Sequence, residues 1–239
     1  MKTIGIITYH YPHLKTEQVL LNLLKKYSPA QLKMYALPFV PRKERNIQIN
    51  HRPDQSVSIL PEVMAAAHGI PYTTVAHDYE IPDGLDYYLI LGAGILSEAF
   101  VKNKKTFNCH PGVIPAVRGL DAFKWSILEM KPLGVTLHFI DEKVDAGDII
   151  SILPTNIYLT DTIETLSRRH YENEISIMSN FEYYLEHPTN IFEGIAQGEP
   201  HRRMDAATEA VMIGRFEEYK LLMVKSLSPT FPKGEGDVA

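Results

Sequence analysis

Tyr87-Tyr88-Leu89-Ile90-Leu91 is an uninterrupted apolar run that stops at Gly92-Ala93-Gly94. A strand that is apolar on both faces has to be covered on both, which is the situation of an inner strand in a parallel sheet flanked by helices. The segments before it repeat a compatible unit. Lys2–Tyr9 reads as a first buried strand. Thr16 is positioned to cap a helix whose apolar residues are Val19, Leu20, Leu23, Leu24 and Tyr27. Leu32, Met34 and Ala36 mark a second strand, Pro61–His68 a helix closed by Gly69, and Ile70–Val75 a third strand. After the Tyr87–Leu91 strand come a short helix over 97–102 and a strand over Thr106–Cys109. Strands alternating with helices predict an α/β, Rossmann-like, doubly wound and mostly parallel sheet.

The second half changes pattern. A helix over Asp121–Glu129 is followed by strands over 134–140 and 148–154. These flank the turn-rich Asp141–Gly147 and so predict a hairpin at the sheet edge. A long helix over 161–187 stops at Pro188. Residues 191–204 are irregular, one more helix lies within 205–224, and 226–239 is a Pro/Gly-rich tail. The expected division is a catalytic domain over 1–190 and a small C-terminal helical appendage over 191–239.

Charge and cysteine content remove some functions. A net charge of -5 is the wrong sign for a protein that neutralises nucleic-acid phosphates. One cysteine forms no internal disulfide, and neither a signal peptide nor an apolar run of about 18 residues is present, so cytoplasm without membrane contact is expected. The loop after the first strand, His10-Tyr11-Pro12-His13-Leu14-Lys15, lacks a GxGxxG fingerprint, which disfavours a dinucleotide. No His-x-x-His or Cys/His spacing suggests a metal.

The chemistry gathers at Asn108-Cys109-His110-Pro111-Gly112, continuing through Ile114-Pro115 to Arg118-Gly119. In extended geometry Asn108 and His110 project to one side and Cys109 to the other. Pro111 and Gly112 then turn the chain out of the strand. Together with Gly134–Ile150, which contains Asp145-Ala146-Gly147, these residues resemble the folate-dependent formyltransferase family over roughly residues 85–150. The resemblance implies Asn108, His110 and Asp145 as catalytic residues and 10-formyltetrahydrofolate as formyl donor. It also implies a folate pocket walled by Leu91, Gly92, Ala93, Gly94 and Ile95 on one side and Asp141, Lys143 and Val144 on the other, a cis Ile114–Pro115 peptide, and a homodimer. Trp125 and His138 read as core residues.

Within that family the closest resemblance is to the sugar N-formyltransferases of lipopolysaccharide O-antigen biosynthesis. This implies a nucleotide-linked amino sugar as acceptor. Arg42, Arg45 and Arg52 lie in a loop over 38–55 that can hold a diphosphate or serve only as a solvated surface. Arg118 can bind an anionic group or pin its own loop. The phosphoribosylglycinamide enzymes usually carry a Gly/Ser-rich phosphate loop where this chain has Tyr9–His13. The tRNA enzymes carry a larger C-terminal domain. A formyltetrahydrofolate hydrolase and a non-catalytic folate or nucleotide sensor are the remaining alternatives.

Overall fold

A computed structural model of the chain describes residues 1–41, 45–102, 104–140, 148–192 and 194–227. In chain order the elements are β1 (Ile4–Tyr9), α1 (Leu14–Leu23), β2 (Leu32–Leu37), α2 (Pro61–His68), β3 (Tyr72–Thr74), β4 (Tyr87–Ile90), α3 (Glu98–Val101) and β5 (Thr106–His110). They continue with β6 (Arg118–Gly119), α4 (Ala122–Leu128), β7 (Gly134–Phe139), β8 (Ile149–Pro154), α5 (Ile163–Ser179), α6 (Phe181–Glu186), β9 (Pro200–His201), α7 (Ala206–Gly214) and α8 (Phe216–Leu227).

Seven strands form one sheet in the order β3-β2-β1-β4-β5-β7-β8. The first five pair in parallel, and β7 and β8 close the far edge antiparallel, as the two-strand pattern of the sequence predicts. The chain moves outward from β1 to β2 and β3, then returns across β1 to β4. The topological switch therefore lies between β1 and β4, and the crevice outside their C-terminal ends is where open α/β sheets place ligands.

Burial follows from the apolar spacing. Val19, Leu20 and Leu23 of α1, Met64 and Ala65 of α2, and Ile177 and Met178 of α5 cover one face of the sheet with Ile4, Ile6, Leu89, Phe107 and Leu137. Ile7, Tyr35 and Tyr88 meet Phe100 and Val101 of α3 on the other face. Gly69 closes α2 with φ 67°, a left-handed value that a side chain resists.

Four expectations need correction. Thr16 does not cap α1: the N-cap is His13, and the Thr16 hydroxyl is buried 2.7 Å from that of Thr8. The long helix over 161–187 is two helices, broken at Asn180, whose side chain bonds back to the Ser176 carbonyl. The single helix over 205–224 is also two, α7 and α8, separated at Arg215. Both pack on α4, and Met212, Phe216 and Tyr219 share a core with Phe123, Ile127, Leu133 and Leu166. Residues 200–201 are not irregular but pair in parallel with Arg118–Gly119.

Candidate active site

β5 ends at His110, and the loop after it is fixed from four directions. His110 Nε2 lies 2.9 Å from the Val117 carbonyl; a carbonyl only accepts, so Nε2 carries a proton and donates. The Thr136 hydroxyl, on the paired strand β7, donates to the Gly112 carbonyl at 2.6 Å and accepts from the Ile114 amide at 3.1 Å. His170 of α5 donates from Nε2 to the Pro111 carbonyl at 3.2 Å, while its Nδ1 is 2.8 Å from the Thr155 hydroxyl. The Gly198 amide donates to the Pro115 carbonyl at 2.9 Å. The Ile114–Pro115 peptide is cis.

Gly112 is where this loop tolerates no side chain. A Cβ there would lie 2.7 Å from the Val117 oxygen, 2.8 Å from His110 Nε2 and 2.9 Å from Ala122 Cβ. The missing methyl is the space through which His110 reaches Val117.

Asn108 faces His138 across the antiparallel β5–β7 register, with Asn108 Nδ2 3.2 Å from His138 Nε2. His138 Nδ1 is 2.9 Å from the Phe139 carbonyl and so carries the ring proton there. Nε2 is then an acceptor, and the Asn108 amide is oriented with its NH2 toward His138. His138 is fully buried, as a core histidine should be, yet it sets the rotation of the asparagine. Strand register alone carries that signal, because the two residues are thirty positions apart.

Cys109 points the other way, toward the Glu174 carbonyl at 3.6 Å, and burial pushes its thiol up to about 12. It is no nucleophile. Behind it, Glu174 of α5 is fully buried. Burial by itself would raise its pKa, but the positive charges of Arg52 and Lys15 hold it below the usual carboxylate range. Arg52 bonds one carboxylate oxygen; Lys15 Nζ stands 3.6 Å from the other, which has no hydrogen-bond partner. Sequence spacing gives no sign of His170 or Glu174, which look like ordinary members of a long amphipathic helix.

The expected anion-binding arginines are distributed as follows. Arg118 donates from Nε and Nη2 to the Gly198 carbonyl at 3.3 and 3.1 Å, so it pins the loop that reaches β9. Arg45 bonds the Met204 carbonyl and lies 3.7 Å from Asp121. Arg45, His51, Arg52, Lys124 and Arg203 line a cavity of about 390 Å³ together with Asp54 and Asp121. Lys124 is buried against Glu209. Arg42 lies outside the described residues.

The loop 91–95 follows β4 at the switch point. The Leu91 and Gly92 amides donate to the Ile7 carbonyl at 2.9 and 3.1 Å, and the Leu91 side chain is in the core. Ala93 and Gly94 are progressively more open, and Ile95 is 90% exposed. The opposite wall expected at Asp141, Lys143 and Val144, and Asp145 itself, lie outside the described residues. Among the described residues no cluster of three or more metal-ligating side chains occurs, and no helix is long and apolar enough to cross a membrane.

Residues 86–181, which contain β4, β5, the loop after it and α5, match the formyl transferase family. This segment belongs to that family. The avian trifunctional purine biosynthetic protein adenosine-3 (Gallus gallus) is 43% identical over 84 residues, 34% of this chain and 8% of its own length. Bacillus subtilis phosphoribosylglycinamide formyltransferase is 32% identical over 99 residues, 41% of this chain and 49% of its own length. The chain thus spans about half or less of these relatives. A Helicobacter canadensis N-formyltransferase, solved with folinic acid and dTDP-3-aminofucose, matches the fold with a TM-score of 0.55, 19% identity, and coverage of 91% of this chain and 81% of its own. The matched segment supplies β4, β5, β7 and β8 of the seven-stranded sheet, and Asn108 and His110 lie on β5, beside β4.

Proposed function

We propose that the chain is an N-formyltransferase that moves the formyl group of 10-formyltetrahydrofolate to the amine of a nucleotide-linked amino sugar. The observation that carries the formyl transfer is the locked end of β5. Asn108 and His110 stand two residues apart on one strand, each held by a hydrogen bond, and the loop that follows is tied to β7 and α5. Such rigid donors suit a charge that develops only during reaction.

The amine nitrogen forms a bond to the formyl carbon while the formyl oxygen gains charge. Asn108 and the imidazolium form of His110 stabilise that oxygen, each donor contributing about 2.7–4 kcal/mol. With Nε2 donating to Val117, the second donor of the protonated ring is Nδ1–H. Asp145 takes, through a water, the proton that the amine loses. The bond from the formyl carbon to the folate nitrogen then breaks, that nitrogen is protonated, and tetrahydrofolate leaves.

Two features support a sugar nucleotide rather than a phosphoribosyl acceptor. The first amides of α1, which could receive a phosphate, are already taken: Leu14 N–H donates to the Gln55 carbonyl at 2.8 Å and Lys15 N–H to Gln55 Oε1 at 3.1 Å. Cations gather instead around the cavity of Arg45, Arg52, Lys124 and Arg203. The phosphoribosylglycinamide reading retains the support of the sequence relatives. Incubation with the folate donor and, separately, phosphoribosylglycinamide or a panel of UDP-, GDP- and dTDP-linked amino sugars decides between them. A product heavier by one formyl group with a sugar nucleotide is expected. Formylation of phosphoribosylglycinamide alone would transfer the assignment to the purine acceptor, and release of formate without acceptor would make the chain a hydrolase.

A further inference from the structure

At the exits of β1 and β2 the chain builds an aromatic platform that neither the folding of the sheet nor the chemistry at His110 requires. Tyr11 and Phe39 are stacked with ring centroids 4.3 Å apart and planes 17° from parallel. Tyr11 remains 41% exposed, so the stack reaches the surface. The stack is braced from below. Tyr9 meets Phe39 edge-on at 5.3 Å and His13 edge-on at 5.6 Å, and the Tyr9 and His13 rings sit so close to Gly92 that a Cβ there would meet both. The His10 amide donates to the Leu37 carbonyl at 2.7 Å, and the His10 ring is 2.7 Å from the Tyr72 hydroxyl. The two strand exits are therefore fixed to each other, and through Gly92 to the loop that borders the switch-point crevice.

We infer that Tyr11 and Phe39 form a stacking shelf for the nucleobase of the acceptor, an assignment that rests on the sugar-nucleotide reading above. A flat ring suits a base, because every nucleobase has a π-face and stacking on an aromatic side chain is insensitive to which base it is. The charge layout supplies the rest of the ligand. Arg45, His51 and Arg52 of segment 45–55 line the cavity, and Gln55 at the end of that segment docks on the first turn of α1, three residues beyond Tyr11. The shelf and the cation-bearing segment 45–55 thus meet at the first turn of α1, as a nucleoside diphosphate joins a base to two phosphates. The occupant is the base of a nucleotide; the folate donor, whose glutamate tail is also anionic, is the alternative that the test separates.

The test uses the full chain. Equilibrium dialysis with UDP, GDP, dTDP and inorganic pyrophosphate is compared among the wild type, Tyr11→Ala, Phe39→Ala and Tyr11→Phe. The shelf requires that at least one nucleotide binds the wild type, that both alanine variants weaken it about tenfold, that Tyr11→Phe restores it, and that pyrophosphate binding is unchanged. Equal nucleotide affinity in wild type and Tyr11→Ala, an equal loss for pyrophosphate, no nucleotide binding at all, or a loss confined to the folate donor overturns it. Steady-state transfer to the sugar-nucleotide panel separates the two claims. Transfer with an unchanged acceptor KM in Tyr11→Ala sinks the shelf alone, whereas Tyr11-dependent nucleotide binding without transfer keeps the shelf and sinks the acceptor assignment.

Discussion

Asn108 and His138 are partners across two antiparallel strands, with the asparagine amide donating to a histidine nitrogen whose tautomer is fixed by the Phe139 carbonyl. An asparagine that is free to flip presents either an oxygen or an NH2 to the crevice; one held by His138 presents a defined edge. The same logic repeats at His110, held by Val117, and at Pro111, held by His170. The site is thus assembled from one strand and clamped from β7 and α5, so turnover and stability should respond in part to different residues.

Asn108→Ala and His110→Ala should each lower kcat about a hundredfold or more, the scale of one oxyanion donor, and His110→Ala should also lower the thermal midpoint because the buried Val117 carbonyl loses its donor. Asp145→Ala should match them in kcat. Single-turnover formyl transfer at saturating substrates measures this, and near-normal turnover in His110→Ala would remove the ring from the mechanism.

His138→Phe keeps an aromatic ring in a buried position but deletes the acceptor for Asn108. The expected outcome is a kcat loss that approaches that of Asn108→Ala and is not additive with it. A double-mutant cycle provides the check, since full additivity would mean that the two residues act independently.

Gly112→Ala places a methyl between His110 and Val117, against a backbone oxygen that cannot move cheaply. Overpacking of this kind costs about 1–3 kcal/mol, and the strain falls on the ring proposed as an oxyanion donor. Turnover should therefore fall further than the folate dissociation constant changes. An alanine variant with wild-type kcat would show that the loop accommodates the methyl by moving elsewhere.

Acid should unfold the protein partly through α5. Burial brings His170 down to about 4, and neither the nearby Glu174 carboxylate nor the bond to the Pro111 carbonyl restores it. The folded state therefore favours the neutral ring. Its contribution is complete above the unfolded value of about 6.5 and is lost as pH falls toward about 4, on the order of 3 kcal/mol in all. Urea midpoints measured between pH 4 and 7 should rise with pH, and more shallowly in His170→Gln. An identical slope in that variant would place the titration elsewhere.

Much of this was legible before any coordinates. The apolar run at Tyr87–Leu91, the βα alternation and the turn-rich 141–147 segment dictate a parallel sheet with an antiparallel edge, because each pattern has one way to bury its apolar faces. The motif at Asn108–His110 is equally local. What the sequence conceals is either short or distant. β6 and β9 are two residues each and have no periodicity to read. The break at Asn180 looks like continuous helix because apolar spacing persists through it. The Arg52–Glu174 pair spans 122 positions and is made by tertiary folding alone.

That pair reshapes what the arginine loop should do. Arg52 satisfies the buried Glu174, so Arg52→Ala leaves a carboxylate with only Lys15, at 3.6 Å, to offset its charge. Removing one partner of such a buried pair costs about 3–5 kcal/mol, with Lys15 placing this case near the lower figure. Arg45 lines the same cavity with a side chain about as exposed as that of Arg52, but its partners are one backbone carbonyl and Asp121 at 3.7 Å rather than a fully buried carboxylate. Arg45→Ala should therefore raise the acceptor KM with a small change in unfolding midpoint. Arg52→Ala should do both, and Arg52→Ala/Glu174→Gln should recover stability but not acceptor affinity, because the glutamine removes the unpaired charge without returning the cation. Chemical unfolding and separate titrations of donor and acceptor distinguish these terms. If the double variant recovered a normal acceptor KM, Arg52 would be a structural partner of Glu174, and Arg45 the one arginine of the pair that meets the ligand.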